Sequence, residues 1–187
     1  MISGNVSGFI YRQQSDGSVV LAKQALPDPN RELSEAQLGQ MQKFKEASAR
    51  YRRLLEDEGI EAAYEKLLAD RGSTGRLRPL VIGDILGAPK VSTVDLSKYH
   101  GAVGDTILVM AEDSVGVSRL QLNILDATAG QTVESAEMDM KGQVLGAVEW
   151  LYTATAALPA SHAAQVEITA YDLAGNEIKA SENLAAA

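Results

Sequence analysis

At 187 residues, with 45% apolar and 5% aromatic residues, the chain has room for one large domain, or a small one with an extension, and its core must be built from thin layers without many large rings. It has no cysteine, which excludes disulfides and thiolate metal sites, and no run approaches the roughly 18 apolar residues of a membrane-spanning helix. The net charge of −8 is one-sided: residues 1–87 carry 12 basic and 12 acidic side chains, residues 88–187 carry 5 and 13, so the second half repels phosphate backbones and is not expected to bind nucleic acid.

Met1-Ile2-Ser3-Gly4-Asn5 has neither a basic segment nor a long apolar one, so no signal peptide is expected. Residues 1–26 read as β-structure. Gly8 to Arg12 and Ser18 to Lys23 flank Gln13-Gln14-Ser15-Asp16-Gly17, in which Asp-Gly is the turn signal. A two-stranded ribbon is marginal alone in water and should dock on its own domain or on a neighbouring chain. Leu26-Pro27-Asp28-Pro29-Asn30 follows as a linker, since its prolines oppose a helix.

Ser34-Glu35-Ala36-Gln37 has the pattern of a capping box and opens the strongest helix of the sequence. Leu38, Met41, Phe44, Ser48, Tyr51 and Leu55 recur at helical spacing and trace one narrow apolar stripe, suited to packing on a single partner layer. Arg50-Tyr51-Arg52-Arg53, the one dense basic cluster, reads as a solvated helix face. Gly59 is expected to end this helix, and a second, from about Ile60 to Gly72, places Ala63, Tyr64, Leu67 and Leu68 on one side, making an αα-hairpin. Ser73 to Arg76 is a loop, and Pro79 to Leu86 an apolar connector whose length fits helix or strand.

From Ala88-Pro89 the period changes to two. Strands are expected from Val91, over Thr106–Ala111, Val117–Leu125, Thr132–Ala136, Val148–Ala154 and Gln165–Tyr171, and from Glu177 to Ser181. Leu120, Leu122 and Ile124 should face one way and Gln121 and Asn123 the other, while Trp150 and Tyr152 fall in phase. The clearest local signal is Val166 to Ile178, where a strand enters Asp172-Leu173-Ala174-Gly175-Asn176 and resumes. Gly and Asn accept positive φ there and Asp bonds its own backbone, closing a hairpin. The sum is an α+β chain: a β-ribbon and linker (1–30), a helical hairpin and connector (31–87), and an antiparallel sandwich of about seven strands (88–187).

Residues 88–184 resemble a bacterial immunoglobulin-like domain. The resemblance rests on Ala88-Pro89-Lys90-Val91, Gly104-Asp105-Thr106-Ile107, Ala111-Glu112-Asp113 with Val117, Trp150-Leu151-Tyr152, and Ala170-Tyr171-Asp172 with Ala174-Gly175-Asn176. The whole chain is also similar to a group of bacterial proteins that join a Gly-rich ribbon, a helix of the type seen at Ser34, Ala36, Gln37, Leu38, Gln40, Lys43 and Phe44, and such a sandwich. The resemblance implies architecture and carries no mechanism.

No phosphate-binding loop, nucleophile elbow or zinc-protease motif is present, and the two histidines, His100 and His162, lie in loop contexts without a neighbouring His or Cys. No catalytic residue and no cofactor are assigned, and the protein is not expected to be an enzyme. Acidic turns at strand ends are the best place for an ion: Asp105, Asp113, Asp172 and Asn176, with Glu112 and Asp126 nearby in sequence, offer oxygens of the kind calcium takes. Turn chemistry alone also accounts for them. Trp150 with Tyr152 is either a sugar-stacking face or core, and a lone Trp in a sandwich favours core.

Three roles follow from these observations. The first is a self-assembling structural subunit of a filament, tube or virion-like particle, held to copies of itself by the ribbon residues Phe9, Ile10, Tyr11, Val19, Val20 and Leu21 and the helix residues Leu38, Met41, Phe44 and Tyr51. The second is an adhesin-like module binding other proteins or glycans; the third and weakest is an enzyme using a hidden carboxylate pair. The first is the expectation, without membrane insertion and in an extracellular or virion-like assembly, with the cytoplasm as the alternative place.

Overall fold

A computed structural model describes residues 3–6, 8–14, 16–24, 32–72, 76–144 and 147–185. The chain divides into two compact units, Met1–Gln40 and Met41–Ala187. The expected linker at 26–30 lies outside the described residues, as does most of the 73–76 loop.

The first unit holds a three-stranded antiparallel sheet in the order β1 (Ser3–Val6), β2 (Phe9–Gln13), β3 (Val19–Lys23). Sequence reading predicts a two-stranded ribbon; Ser3–Val6 adds a third strand, with Gly4 opposite Tyr11. The tyrosine ring supplies what the glycine lacks: a Cβ built on Gly4 would stand 2.9 Å from the Tyr11 hydroxyl. Asp16-Gly17 closes β2 on β3 as its turn chemistry predicts. Ser18 N–H donates to Asp16 Oδ1 at 2.9 Å, and Gly17 adopts φ 83°.

Helix α1 (Glu35–Leu54) opens on the capping box that its sequence announces. The Gln37 N–H donates to Ser34 Oγ at 3.3 Å and the Ser34 N–H to Gln37 Oε1 at 3.1 Å, so each satisfies a backbone donor of the other. The helix ends before Gly59. A new N-cap at Asp57 takes the Gly59 and Ile60 N–H groups and starts α2 (Glu58–Asp70), leaving Gly59 in that helix's first turn. The connector is a third helix, α3 (Leu77–Leu86), which buries Val81, Ile82, Asp84 and Ile85.

Within the second unit, two four-stranded antiparallel sheets follow. One has the order β11-β10-β6-β7 and the other β4-β5-β9-β8. Their members are β4 (Lys90–Asp95), β5 (Thr106–Glu112), β6 (Val117–Asp126), β7 (Gln131–Glu137), β8 (Asp139–Val144), β9 (Ala147–Thr153), β10 (Ala164–Asp172) and β11 (Glu177–Leu184). Seven of the eight stand where alternation places them. The eighth, β8, is an edge strand reading Asp-Met-Lys-Gly-Gln-Val, bulged between Met140 and Gly142, and carries no apolar alternation to announce it.

The two sheets share one core. Ile107, Val109 and Trp150 from one meet Leu120, Leu122, Ile124, Val166 and Ile168 from the other. Each such side chain, taken fully from water, contributes about 1.5–3 kcal/mol before conformational entropy is counted. A second core joins the helices to the turns of the sheets: Ala47, Tyr64, Val81, Ile82 and Ile85 pack with Val115 and Ala174. Thus the turn after β5 and the turn after β10 are seated on α1, α2 and α3. Among the described residues no helix is long and apolar enough to cross a membrane.

Candidate functional site

The ribbon residues form a defined surface within their own unit. Opposed residues of an antiparallel pair share a face, so the pairs Tyr11–Leu21 and Gln13–Val19, with Phe9 opposite Lys23, put Phe9, Tyr11, Val19 and Leu21 together. Ile10 and Val20 lie on the opposite face. Val19 and Leu21 are 63% and 66% exposed, and Phe9 and Val20 are exposed as well.

Strand β3 also has a free outer edge, because the sheet order leaves it paired with β2 alone among the described strands. Which backbone groups point outward follows from the ladder. The Gln14 N–H donates to the Ser18 carbonyl at 2.8 Å and the Gln24 N–H to the Gly8 carbonyl at 2.7 Å, so both pairs are hydrogen-bonded ones. Alternation then makes 12–20 and 10–22 hydrogen-bonded pairs, and 13–19, 11–21 and 9–23 the others. The N–H and C=O of Val19, Leu21 and Lys23 therefore point away from β2, along the open edge.

The helical stripe divides. Tyr51, Leu54 and Leu55 pack against the core that buries Ala47, whereas Leu38, Met41 and Phe44 are exposed. This corrects the expectation of a continuous stripe against one layer. The buried face runs through Ala47, whose small side chain lets the helix come close. Phe44 lines an apolar groove of about 320 Å³ with Arg78, Pro79, Ile82, Gly83 and Leu86.

The acidic turns separate into different places. Asp105 caps its own loop, accepting the His100 and Ala102 N–H groups. Glu112 pairs with Lys90 across the strands at 3.0 Å. Asp126 stands 2.6 Å from His162 Nδ1 with one oxygen and takes the Thr128 and Ala129 N–H groups on the other; the His162 contact first, and these N–H groups after it, hold its carboxyl below the usual range against the effect of burial. His162 is thus half-buried and anchored, while His100 is exposed. Trp150 is 5% exposed and belongs to the core, so it offers no stacking face.

Asp113 and Asp172 do come together, and a residue that sequence reading passes over joins them: Asp84 of α3. Asp84 is fully buried. Its Oδ2 accepts the Tyr64 hydroxyl and, at 3.0 Å, the Ala174 N–H. Among the described residues its Oδ1 has no hydrogen-bond partner. Burial pushes this carboxyl up to about 6; the Tyr64 hydroxyl pulls against that shift, and the negative charges of Asp172 and Asp113 add to it. Burial also raises Asp172, against the hydrogen bonds it takes from Asn176. Asp113 Oδ1 accepts the Val115 and Gly116 N–H groups at 2.7 and 3.0 Å.

Asn176 is the polar link of this region. Its Nδ2 donates to Asp172 Oδ2 at 2.7 Å, to the Asp84 carbonyl at 2.8 Å and to the Gly87 carbonyl at 2.9 Å. Its Oδ1 accepts Arg50 Nη1 at 2.9 Å, and Arg50 Nη2 donates to the Ala174 carbonyl. Arg50 is therefore a structural tie between α1 and the last hairpin, rather than one more solvated charge; Arg52 and Arg53 remain exposed. Nothing in the helix sequence marks Arg50 out from its neighbours, because its partner lies 126 residues away. Asp84 carried one signal, a charge within an otherwise apolar run.

No protein-family model and no curated protein matches the chain.

Proposed function

We propose that the protein is a non-enzymatic structural subunit that assembles with copies of itself, the open edge of β3 pairing with a strand of a neighbour, and that residues 88–187 form an immunoglobulin-like sandwich. The observation that carries this reading is β3. It is a strand with exposed Val19, Val20 and Leu21 and an edge unpartnered among the described residues, which exposes both apolar surface and backbone groups that a neighbouring strand satisfies. The exposed Leu38, Met41 and Phe44 of α1 supply further apolar contact. Head-to-tail use of such an edge yields a filament, tube or shell according to the rotation between copies.

Sedimentation velocity of the full chain over a hundredfold concentration range tests it. Wild-type protein should form larger species with rising concentration. Leu21→Pro should abolish them, because it removes an N–H on the outer edge without touching the ladder to β2, while Leu21→Thr, which keeps that N–H, should retain part of the association. A strictly monomeric wild type, or undiminished assembly by Leu21→Pro, would overturn the proposal.

A further inference from the structure

We infer that Asp84, Asp113 and Asp172 form a calcium site that fastens α3 to the turns after β5 and β10. Each residue brings one carboxylate oxygen to within 4.8 Å of the others. Oxygens no farther apart than this can share one ion held at about 2.4 Å, the bond length of calcium to oxygen. Magnesium keeps several of its waters and is seldom held by a cluster of protein carboxylates alone, and zinc prefers nitrogen and sulfur.

The second observation is the unpartnered oxygen. Asp84 is fully buried, its Oδ2 is held by Tyr64 and Ala174, and its Oδ1 meets no donor among the described residues. A buried carboxylate oxygen without a donor or a counter-charge is strongly disfavoured, the more so beside two further carboxylates. The nearby arginines do not supply the counter-charge. Arg50 is directed to the Ala174 carbonyl and to Asn176, and Arg71 to the carbonyls of Ser114 and Val115. Among the described residues none of the three carboxylates takes part in an ion pair.

The other contacts hold the carboxylates in place. The backbone N–H groups on Asp113 Oδ1 and the Asn176 donors on Asp172 fix both side chains. Asp113 is only half-buried, which leaves water access to complete the six to eight oxygens that calcium takes. The three ligands come from three separate segments, so the ion would staple the helical part of this unit to its sheets.

The test uses the full chain, stripped with a chelator, and the metal alone. Calcium at about 100-fold over its dissociation constant should raise the melting temperature by about 5 °C or more. Terbium should bind with emission sensitised by Tyr64, whose hydroxyl touches Asp84, and calcium should compete it away. Asp113→Asn keeps the Oδ1 acceptor for Val115 and Gly116 and removes the charge. It should fold with an unchanged circular dichroism spectrum and bind calcium at least about tenfold more weakly, as loss of a charged ligand demands. Asp105→Asn, in another loop, should leave binding unaltered. A folded wild type with no calcium response, an equal response to magnesium, or wild-type affinity in Asp113→Asn would overturn the assignment.

Discussion

Replacing Asn176 with alanine should cost about 3 kcal/mol of stability in the unit that contains it, measured with a chelator present. The figure comes from its contacts. The Nδ2 group has two hydrogens and three acceptors within 2.9 Å, and Oδ1 accepts one bond from Arg50. Two donated bonds and one accepted, at about 0.5–1.5 kcal/mol net each, give roughly 1.5–4.5 kcal/mol; the Asp84 carbonyl keeps the Gly87 N–H at 3.1 Å, and loss of the donor to the partly buried Gly87 carbonyl places the cost near the middle of that range. Trp150, the single tryptophan and a buried one, reports the unfolding of this unit by its fluorescence. With a urea m-value of about 2 kcal/mol/M, the midpoint should fall by about 1.5 M. Asn176→Asp provides the sign test. It keeps the shape and the acceptor for Arg50, but sets a carboxylate oxygen against two carbonyls and the Asp172 carboxylate. At neutral pH it should be less stable than Asn176→Ala despite being the closer isostere. An alanine variant within about 0.5 kcal/mol of wild type, or an aspartate variant more stable than the alanine one, would refute the view that this amide ties the last hairpin to α3.

Two further outcomes are expected. Trp150→Ala should destabilise by about 3–5 kcal/mol, but Trp150→Phe by less than about 2, because the indole N–H has no hydrogen-bond partner among the described residues and its loss relieves a buried donor; urea unfolding by circular dichroism should separate the two, and equal costs would count against the reasoning. The depressed carboxyl of Asp126 contributes stability that is present above its unfolded pKa of about 3.9 and is lost as pH falls through the lower folded value. Wild-type stability should therefore fall more steeply below about pH 4 than that of Asp126→Asn, by a fraction of a proton, in urea titrations between pH 2 and 7.

Elements with a local cause were legible in the sequence. The capping box at Ser34, the Asp16-Gly17 turn, the alternation of Leu120, Leu122 and Ile124, and the Asp172–Asn176 turn each depend on residues within a few positions of one another, and all form where expected, the last with Gly175 at φ 80° and without the positive φ expected of Asn176. The misses share a different cause. Strand β8 has an exposed edge composition and exists because β9 offers it a ladder. The helix stripe divides at Phe44 because tertiary contact, rather than periodicity, chooses which turns of α1 are covered.

For the candidate sites the division is sharper. Residue types and spacing marked the ribbon and the acidic turns as places of interest, since exposed apolar strands and carboxylate-rich loops are local properties. Only the tertiary structure joined Asp84 to Asp113 and Asp172, left one of its oxygens without a donor, and turned Arg50 toward the hairpin. Backbone preference and period act over a few residues, and the sequence alone determines them. Which charges meet in a buried place depends on chain segments distant in sequence being packed together, and only the folded core brings Asp84 and Asp172 to one place.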